Sequence, residues 1–309
     1  MGTPEFAVPS LRQVAASGTD IAAVVTNPDE PRGRGLKLSS PPVKIAADEL
    51  GIQVIQVGSL RDPEFIARLQ GLEPDLMVVV AFRILPREVF TIPPKGTFNL
   101  HASLLPKYRG AAPINWAIVR GETETGVTTF FLDDKVDTGR IILQKKIPIG
   151  ENETAGELSS RLSKLGAEAV METIGLIDRD EVNLVEQDGS TATGAPKFTK
   201  DDCLIDWNRA AFEVHNFVRG FSPEPGAFTY LDSRQAKILA SRLSAVPSSG
   251  RIGELKVSDG RLFVSCSDGM LELLEIQMEG KKRHSVPDFL RGARDIDGKV
   301  FARERKPAN

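Results

Sequence analysis

Four short apolar runs mark the first hundred residues: 21–27 (IAAVVTN), 52–57 (IQVIQV), 75–82 (DLMVVVAF) and 96–101 (GTFNLH). Between them lie stretches with helical spacing, PPVKIAADELG from Pro41, PEFIARLQGL from Pro63 and PREVFTI from Pro86. A proline near each start suits a first helical turn, where the missing N–H would have had no partner. Near-continuous apolar strands alternating with helices predict an α/β fold, a doubly wound and mostly parallel sheet covered on both faces. Segments 126–133 (GVTTFFLD) and 140–149 (RIILQKKIPI) predict two more strands, joined by DKVDTG. A long helical pattern then runs from Thr154 to about Arg179.

The rhythm changes after that helix. Residues 183–202 are polar, Gly/Thr-rich and without periodicity, the pattern of a linker. A helical stretch follows, AAFEVHNFVRGF, and then five short strand candidates broken by Gly, Pro or Ser: GAFTYL, QAKILASRL, RIGELKV, RLFVSCSD and MLELLEIQ. Small strands at close spacing predict a small β-barrel or sandwich. The organisation expected is therefore a domain over 1–182, a linker over 183–202 and a β-domain over 203–309. The 309 residues suit two domains at about 150 each. One feature sits awkwardly: the chain opens on a turn, Gly2-Thr3-Pro4, with no strand feeding it. Either the true start lies upstream or the sheet lacks a member.

Composition narrows the classes. With 41% hydrophobic and 26% charged residues the chain is an ordinary globular protein. Its two cysteines, Cys203 and Cys266, form no CxxC and have no His pair nearby, which argues against a disulfide framework and a zinc site. A reducing cytoplasm is the expected setting. No apolar run reaches the ~18 residues that span a bilayer, and MGTPEFAVPS lacks the pattern of a signal peptide. The net charge of −3 does not announce a nucleic-acid binder, so any RNA contact has to come from local basic clusters.

Two motifs are weak. PRGRG lacks the third glycine of GxGxxG and its strand–turn–helix setting. Asp137-Thr138-Gly139 spells the aspartic-protease triplet, but that chemistry needs two carboxylates sharing a proton, and only one copy is present. The stretch FNLHASLLPKYRGAAPI is richer. Alternation along a strand puts Asn99 and His101 on one face, and in open α/β sheets ligands bind beyond the carboxyl ends of strands. Asp137 lies in the next inter-strand loop and reaches the same crevice if those strands run alongside. An amide and a protonated imidazole can together donate to a developing oxyanion. Nothing pairs a Ser or Cys with a base, so the chemistry expected is direct acyl transfer to an amine. A buried histidine with an ordinary partner and an asparagine in turn chemistry remain open alternatives on spacing alone. His215 and His284 are expected to be structural or surface residues, and Trp116 and Trp207 core.

Longer matches sharpen this. FNLHASLLPKYRGAAPINWAI and GVTTFFLDDKVDTG resemble the two signature blocks of the folate-dependent formyltransferases, and MGTPEFAVPSL, TNPDEPRGRGLKLSSPPVK and DLMVVVAF fall in the family's order. LIDWNRAAFEVHNFVRGFSPEPGAFT and GMLELLEIQMEGKKR resemble the C-terminal domain of members that act on charged tRNA. The resemblance covers nearly the whole chain. It implies a Rossmann-like catalytic domain followed by an OB-like β-barrel that helps hold tRNA. The implied formyl donor is 10-formyltetrahydrofolate, the acceptor the α-amino group of methionyl initiator tRNA, with no metal and a monomeric enzyme.

By match to the motif, Asn99, His101 and Asp137 are the catalytic trio. Ser103, Leu104, Leu105 and Pro106 line the folate site, and the turn Ala81, Phe82, Arg83, Ile84 touches the pterin. The loop with Arg32, Arg34 and Lys37 meets the acceptor stem, with Arg219, Lys281 and Lys282 as further RNA contacts. Two departures stand out. The family's first strand is absent, and its loss is expected to weaken the sheet. AFRILP is one residue shorter than the AYGxILP-like turn of relatives, which bears on donor affinity. The alternatives are a formyltransferase for a small amine and a catalytically inactive RNA-binding relative. The basic loop and second domain speak against the former, the intact trio against the latter.

Overall fold

A computed structural model describes residues 1–32, 37–248, 250–293 and 295–304. Two compact units divide the chain: the first is Met1–Ala111, Thr125–Ile147 and Ser159–Ala195, the second Ala112–Glu124, Pro148–Leu158 and Pro196–Asn309.

The first unit carries α1 (Val8–Ala16), β1 (Val24–Thr26), the short strands β2 (Glu30–Arg32) and β3 (Lys37–Ser39), α2 (Pro42–Glu49), β4 (Val54–Gln56), α3 (Pro63–Gln70), β5 (Met77–Val80), α4 (Arg87–Phe90) and β6 (Thr97–His101). The sequence patterns account for most of these. Pro42 and Pro63 sit in the first turns of α2 and α3, and the Asp62 side chain caps α3 by accepting from Glu64 N. Helix α1 and the β2–β3 pair went unread: nine residues beside a Gly-Thr-Pro turn and three-residue strands flanking PRGRG carry too little periodicity.

β1 and β4 run parallel, as do β5 and β6, with Val80 beside Leu100. β7 (Glu124–Phe131) is antiparallel to β6, pairing His101 with Thr128 and Phe98 with Phe131, and β8 (Ile141–Pro148) lies at its other edge. No ladder joins β1 to β5 among the described residues; Met1 and Gly2 lie between them. Gly2 N donates to Val25 O at 3.0 Å, Val80 N to Met1 O at 2.9 Å, and the Met1 amino group to Val78 O at 2.6 Å. Burial pulls that amine's pKa down to about 5. Beside this junction is a cavity of about 410 Å³, lined by Val24, Met77, Val78 and Val170 among others. None of Asn99, His101 or Asp137 lines it, so this space does not locate the chemistry.

The long helix α6 (Ala155–Asp178) crosses the sheet closely. A Cβ at Gly166 would come within 2.6 Å of Leu100 Cδ2, and the Thr173 and Thr129 hydroxyls share a hydrogen bond at 2.7 Å. Phe98 is fully buried on the same strand face as Leu100, and Phe130, opposite Asn99, is buried on the other face with Leu105 and Ile141. Strand β6 is thereby fixed on both edges and one face, which sets the position of whatever projects from its end.

The second unit holds α5 (Pro113–Val119), α7 (Ala211–Gly220), β9 (Ala227–Leu231), β10 (Arg234–Leu243), β11 (Leu255–Ser258), β12 (Arg261–Ser265), β13 (Met270–Met278), β14 (His284–Ser285) and α8 (Val286–Gly292). Its sheet is antiparallel, in the order β11-β12-β13-β10-β9, with β14 beside β13. Among the described residues no strand ladder closes the expected barrel. The edges β9 and β11 are linked through residues near 300: Tyr230 bridges Ala302 and Glu254 bridges Val300. Single bridges on each side are too short for a ladder, so the sheet is OB-like in strand content but open. Trp207 is buried, stacked on Phe301 at 5.3 Å, with its Nε1 donating to Thr229 Oγ1 at 3.1 Å. Trp116 is half-buried and meets Phe221 edge-on at 6.4 Å. His215 is buried between Ser241 and the Glu151 carbonyl, and burial lowers its pKa; His284 is exposed.

Candidate active site

β6 ends on His101, whose ring is buried. Its Nε2 lies 2.8 Å from the Tyr108 carbonyl oxygen. A carbonyl only accepts, so this contact puts a hydrogen on Nε2. Nδ1 then faces the Asp137 carboxylate at 3.9 Å. That gap is an ion-pair distance rather than a hydrogen bond, wide enough for a water or a substrate atom to mediate. Asn99, two residues earlier and half-buried, shares the strand face of His101.

Asp137 reaches His101 although β7 ends beside Phe98. The loop after β7 turns sharply. Asp137 has φ of 55°, a left-handed conformation that Asp tolerates better than most residues. A Cβ at Gly139 would sit 1.7 Å from Phe131 O, so only glycine lets the loop lie this close to β7. The Thr138 hydroxyl donates to Asp133 Oδ1 at 2.7 Å, closing the turn. The Asp137 carboxylate accepts from Gly110 N at 2.8 Å.

The segment between His101 and Gly110 is tied down from several sides. Thr128 Oγ1 donates to Ser103 O at 2.6 Å and accepts from Leu105 N at 3.1 Å, while Gln144 Nε2 reaches Leu105 O at 2.8 Å. Tyr108 N donates to Thr193 Oγ1 at 2.9 Å, Arg109 N to Thr193 O at 2.8 Å, and Ala195 N to Arg109 O at 2.7 Å. A Cβ at Gly110 would meet Ala195 O at 2.7 Å. Residues 185–195, which read as featureless linker, therefore pack onto the loop that holds His101 and Asp137. Tyr108, Gly110 and Thr193 were missed as site-forming residues. The Arg-Gly turn was the only signal available for them.

The remaining expected contacts divide. Ser103 is fully buried with its hydroxyl on Lys107 O, and Leu105 packs with Phe130 and Ile141. These side chains shape the loop from within, so they do not line a ligand surface; Leu104 and Pro106 are partly accessible. In the 81–84 turn, Ala81 has φ of 47° and Ile84 is 75% exposed, free to meet a ligand. Arg83 bonds Val57 O and Gly58 O at 2.7 Å and lies 5.2 Å from the Phe82 ring centroid; burial lowers its pKa.

Of the basic residues, Arg34 lies outside the described residues, as do the side chains of Arg32 and Lys37. Lys281 and Lys282 are exposed between β13 and β14, whereas neighbouring Arg283 is paired with Glu275. Arg219 does not fit an RNA contact. It is 6% exposed, and its guanidinium donates to Asn216 Oδ1 at 2.9 Å and to the Gly150 and Glu153 carbonyls at 3.1 Å. Its charge was legible in the sequence; its burial was not. Arg219→Gln is expected to lower unfolding free energy by about 2–3 kcal/mol, read by urea denaturation, with RNA affinity unchanged.

Comparison with known proteins adds to this geometry. Residues 1–174 match the formyl transferase family and residues 197–294 the formyl transferase C-terminal domain. A methionyl-tRNA formyltransferase of Chlorobium luteolum is 50% identical over 300 residues, covering 95% of this chain and 96% of the relative. One from Geobacter metallireducens is 46% identical over 296 residues, covering 95% and 94%. Among solved structures, the sugar 3N-formyl transferase WlaRD matches with TM-score 0.68 at 22% identity, over 91% of this chain and 97% of that one. An N-formyltransferase from Helicobacter canadensis matches with TM-score 0.66 at 23% identity, over 92% and 97%. At such identities the structural likeness speaks for the fold.

Proposed function

The chain belongs to the formyl transferase family, and on that premise we propose that it moves a formyl group from 10-formyltetrahydrofolate to the α-amino group of methionyl initiator tRNA, for translation initiation. The observation that carries the reading is the meeting of His101 and Asp137 at the end of β6, inside a chain alike over nearly its whole length to methionyl-tRNA formyltransferases. The enzyme works as a cytoplasmic monomer. Residues 1–182 carry its catalysis, 183–202 lead on from them with 185–195 packed onto the loop of the site, and 203–309 bind the tRNA. No helix among the described residues is long and apolar enough to cross a membrane.

The chemistry follows from the side chains. The amine nitrogen adds to the formyl carbon, which becomes tetrahedral as its oxygen gains charge. The Asn99 amide and the His101 ring donate to that oxygen, acting where charge develops. Asp137 orients the ring and takes part in relaying the proton lost by the amine. The bond from carbon to the donor nitrogen then breaks and that nitrogen is protonated. Leu104, Pro106 and the 81–84 turn border the folate. Arg32, Arg34 and Lys37 meet the acceptor stem through phosphates, with Lys281 and Lys282 adding to the field.

Incubation with 10-formyltetrahydrofolate and charged initiator tRNA should yield formylmethionyl-tRNA, resolved by acid gel. Formylation of a small amine in preference to the charged tRNA would reject this reading. Arg34→Ala should raise KM for tRNA and lower the salt dependence of binding by about one unit of slope, with KM for the folate unchanged.

A further inference from the structure

We infer that Gln187 is a positioning residue for this reaction: it clasps the Asp137 turn to the Arg109–Gly110 turn and so keeps the carboxylate aimed at His101. The inference, in its kinetic part, rests on the formyl-transfer reading above.

Every hydrogen-bonding group of the Gln187 amide has work on this loop pair. Its Nε2 donates to Asp137 O at 3.0 Å and to Gly139 O at 2.8 Å. Its Oε1 accepts from Arg109 Nε at 3.2 Å and from the Arg109 terminal nitrogen at 2.7 Å. The next residue, Gly110, sends its N–H to the Asp137 carboxylate at 2.8 Å. The bonds form a closed ring: Gln187 to the Asp137 backbone, the Asp137 side chain to Gly110, Arg109 back to Gln187. A neutral amide suits this place, because two carbonyls need two donor hydrogens and a guanidinium needs an acceptor, and among neutral side chains Asn and Gln supply all three.

Gln187 is itself anchored. Val185 and Ile141 exchange backbone hydrogen bonds at 2.8 and 3.0 Å on one side, and Thr193 and Ala195 hold Arg109 on the other. The clasp restrains a turn that needs restraint, since Asp137 is left-handed and residues 133–136 are largely exposed. A displacement of about 1 Å at a catalytic group can lower turnover 10²-fold. Gln187 touches neither His101 nor Asn99 in any bond seen here, so its effect passes through the Asp137 and Arg109–Gly110 turns that it joins.

The test uses the full chain. Gln187→Ala should lower kcat by about 30- to 100-fold, the scale of that displacement, with KM for folate and for charged tRNA within about threefold. Gln187→Glu keeps an acceptor for Arg109 but sets a carboxylate against two carbonyls, and should be at least as slow. Amide hydrogen exchange at Gly110, read without any assay of activity, should quicken about tenfold in both variants, as expected when local opening costs about 1.4 kcal/mol less. A Gln187→Ala enzyme that matches wild type in kcat, or that loses only thermal stability, overturns the inference. If the wild type forms no formylmethionyl-tRNA, the functional reading fails instead, and Gly110 exchange alone decides on the clasp: unchanged protection in Gln187→Ala refutes it.

Discussion

Asp137→Asn should lower turnover on the order of 10³-fold, about 4 kcal/mol of transition-state stabilisation, with folate and charged tRNA binding as before. Asparagine is the informative replacement because it preserves everything except charge. It tolerates the left-handed φ of 55° at least as well as aspartate. Its carbonyl oxygen can still accept from Gly110 N, the bond seen at 2.8 Å. Gln187 would keep its contacts to this turn, since they go to the backbone carbonyls of Asp137 and Gly139. What disappears is the negative charge 3.9 Å from His101 Nδ1, and with it the electrostatic reason for a hydrogen to reside on that nitrogen in the transition state. Single-turnover formylation alongside equilibrium binding of each substrate separates the steps. A loss of less than tenfold would mean that the carboxylate merely braces the loop.

The second large effect concerns the division of the chain. A fragment comprising 196–309 should fail to show a cooperative thermal transition, although the C-terminal domain match covers 197–294. The second unit includes Ala112–Glu124 and Pro148–Leu158. Asn115 Nδ2 donates to Gly220 O at 2.8 Å, and a Cβ at Gly220 would strike Val119 Cγ2 at 2.6 Å, so α5 and α7 touch backbone to side chain. Arg219 loses the Gly150 and Glu153 carbonyls in such a fragment, and His215 loses Glu151 O. Bonds to a charged group contribute about 1.5–3 kcal/mol each, and stripping α5 exposes apolar surface on α7. The sum, about 5 kcal/mol or more, rivals the whole stability of a typical domain, about 5–15 kcal/mol. A sharp calorimetric peak from the fragment alone would show the β-sheet core to be self-sufficient.

These two cases mark what a sequence reveals. Strands β5 to β8 and helix α6 were legible because their own periodicity declares them. So was the spacing that put Asn99 and His101 on one face. Asp137 was reachable in sequence only as a loop residue of uncertain direction; its approach depends on Gly139 having no side chain and on Gly110 offering an N–H. Gln187 was invisible, since a segment ordered by hydrogen bonds to other loops has no reason to be periodic. Arg219 misled for a related reason. A cation on a helix reads as surface until the carbonyls that surround it are known. The barrel expectation went too far because strand count predicts a sheet, whereas closure depends on what lies between its last two edges.

The tight turn after β7 has an implication for anyone reading motifs. Its three letters are each there on separate grounds: the aspartate for the carboxylate it turns toward His101, in a backbone that twists the unusual way, the threonine because its hydroxyl latches Asp133, the glycine because Phe131 leaves no room. An acid-protease spelling has thus been written by packing in a molecule with no second copy of it. Three-letter coincidences of this kind are products of geometry, and tell of ancestry or chemistry only when the surrounding shape agrees.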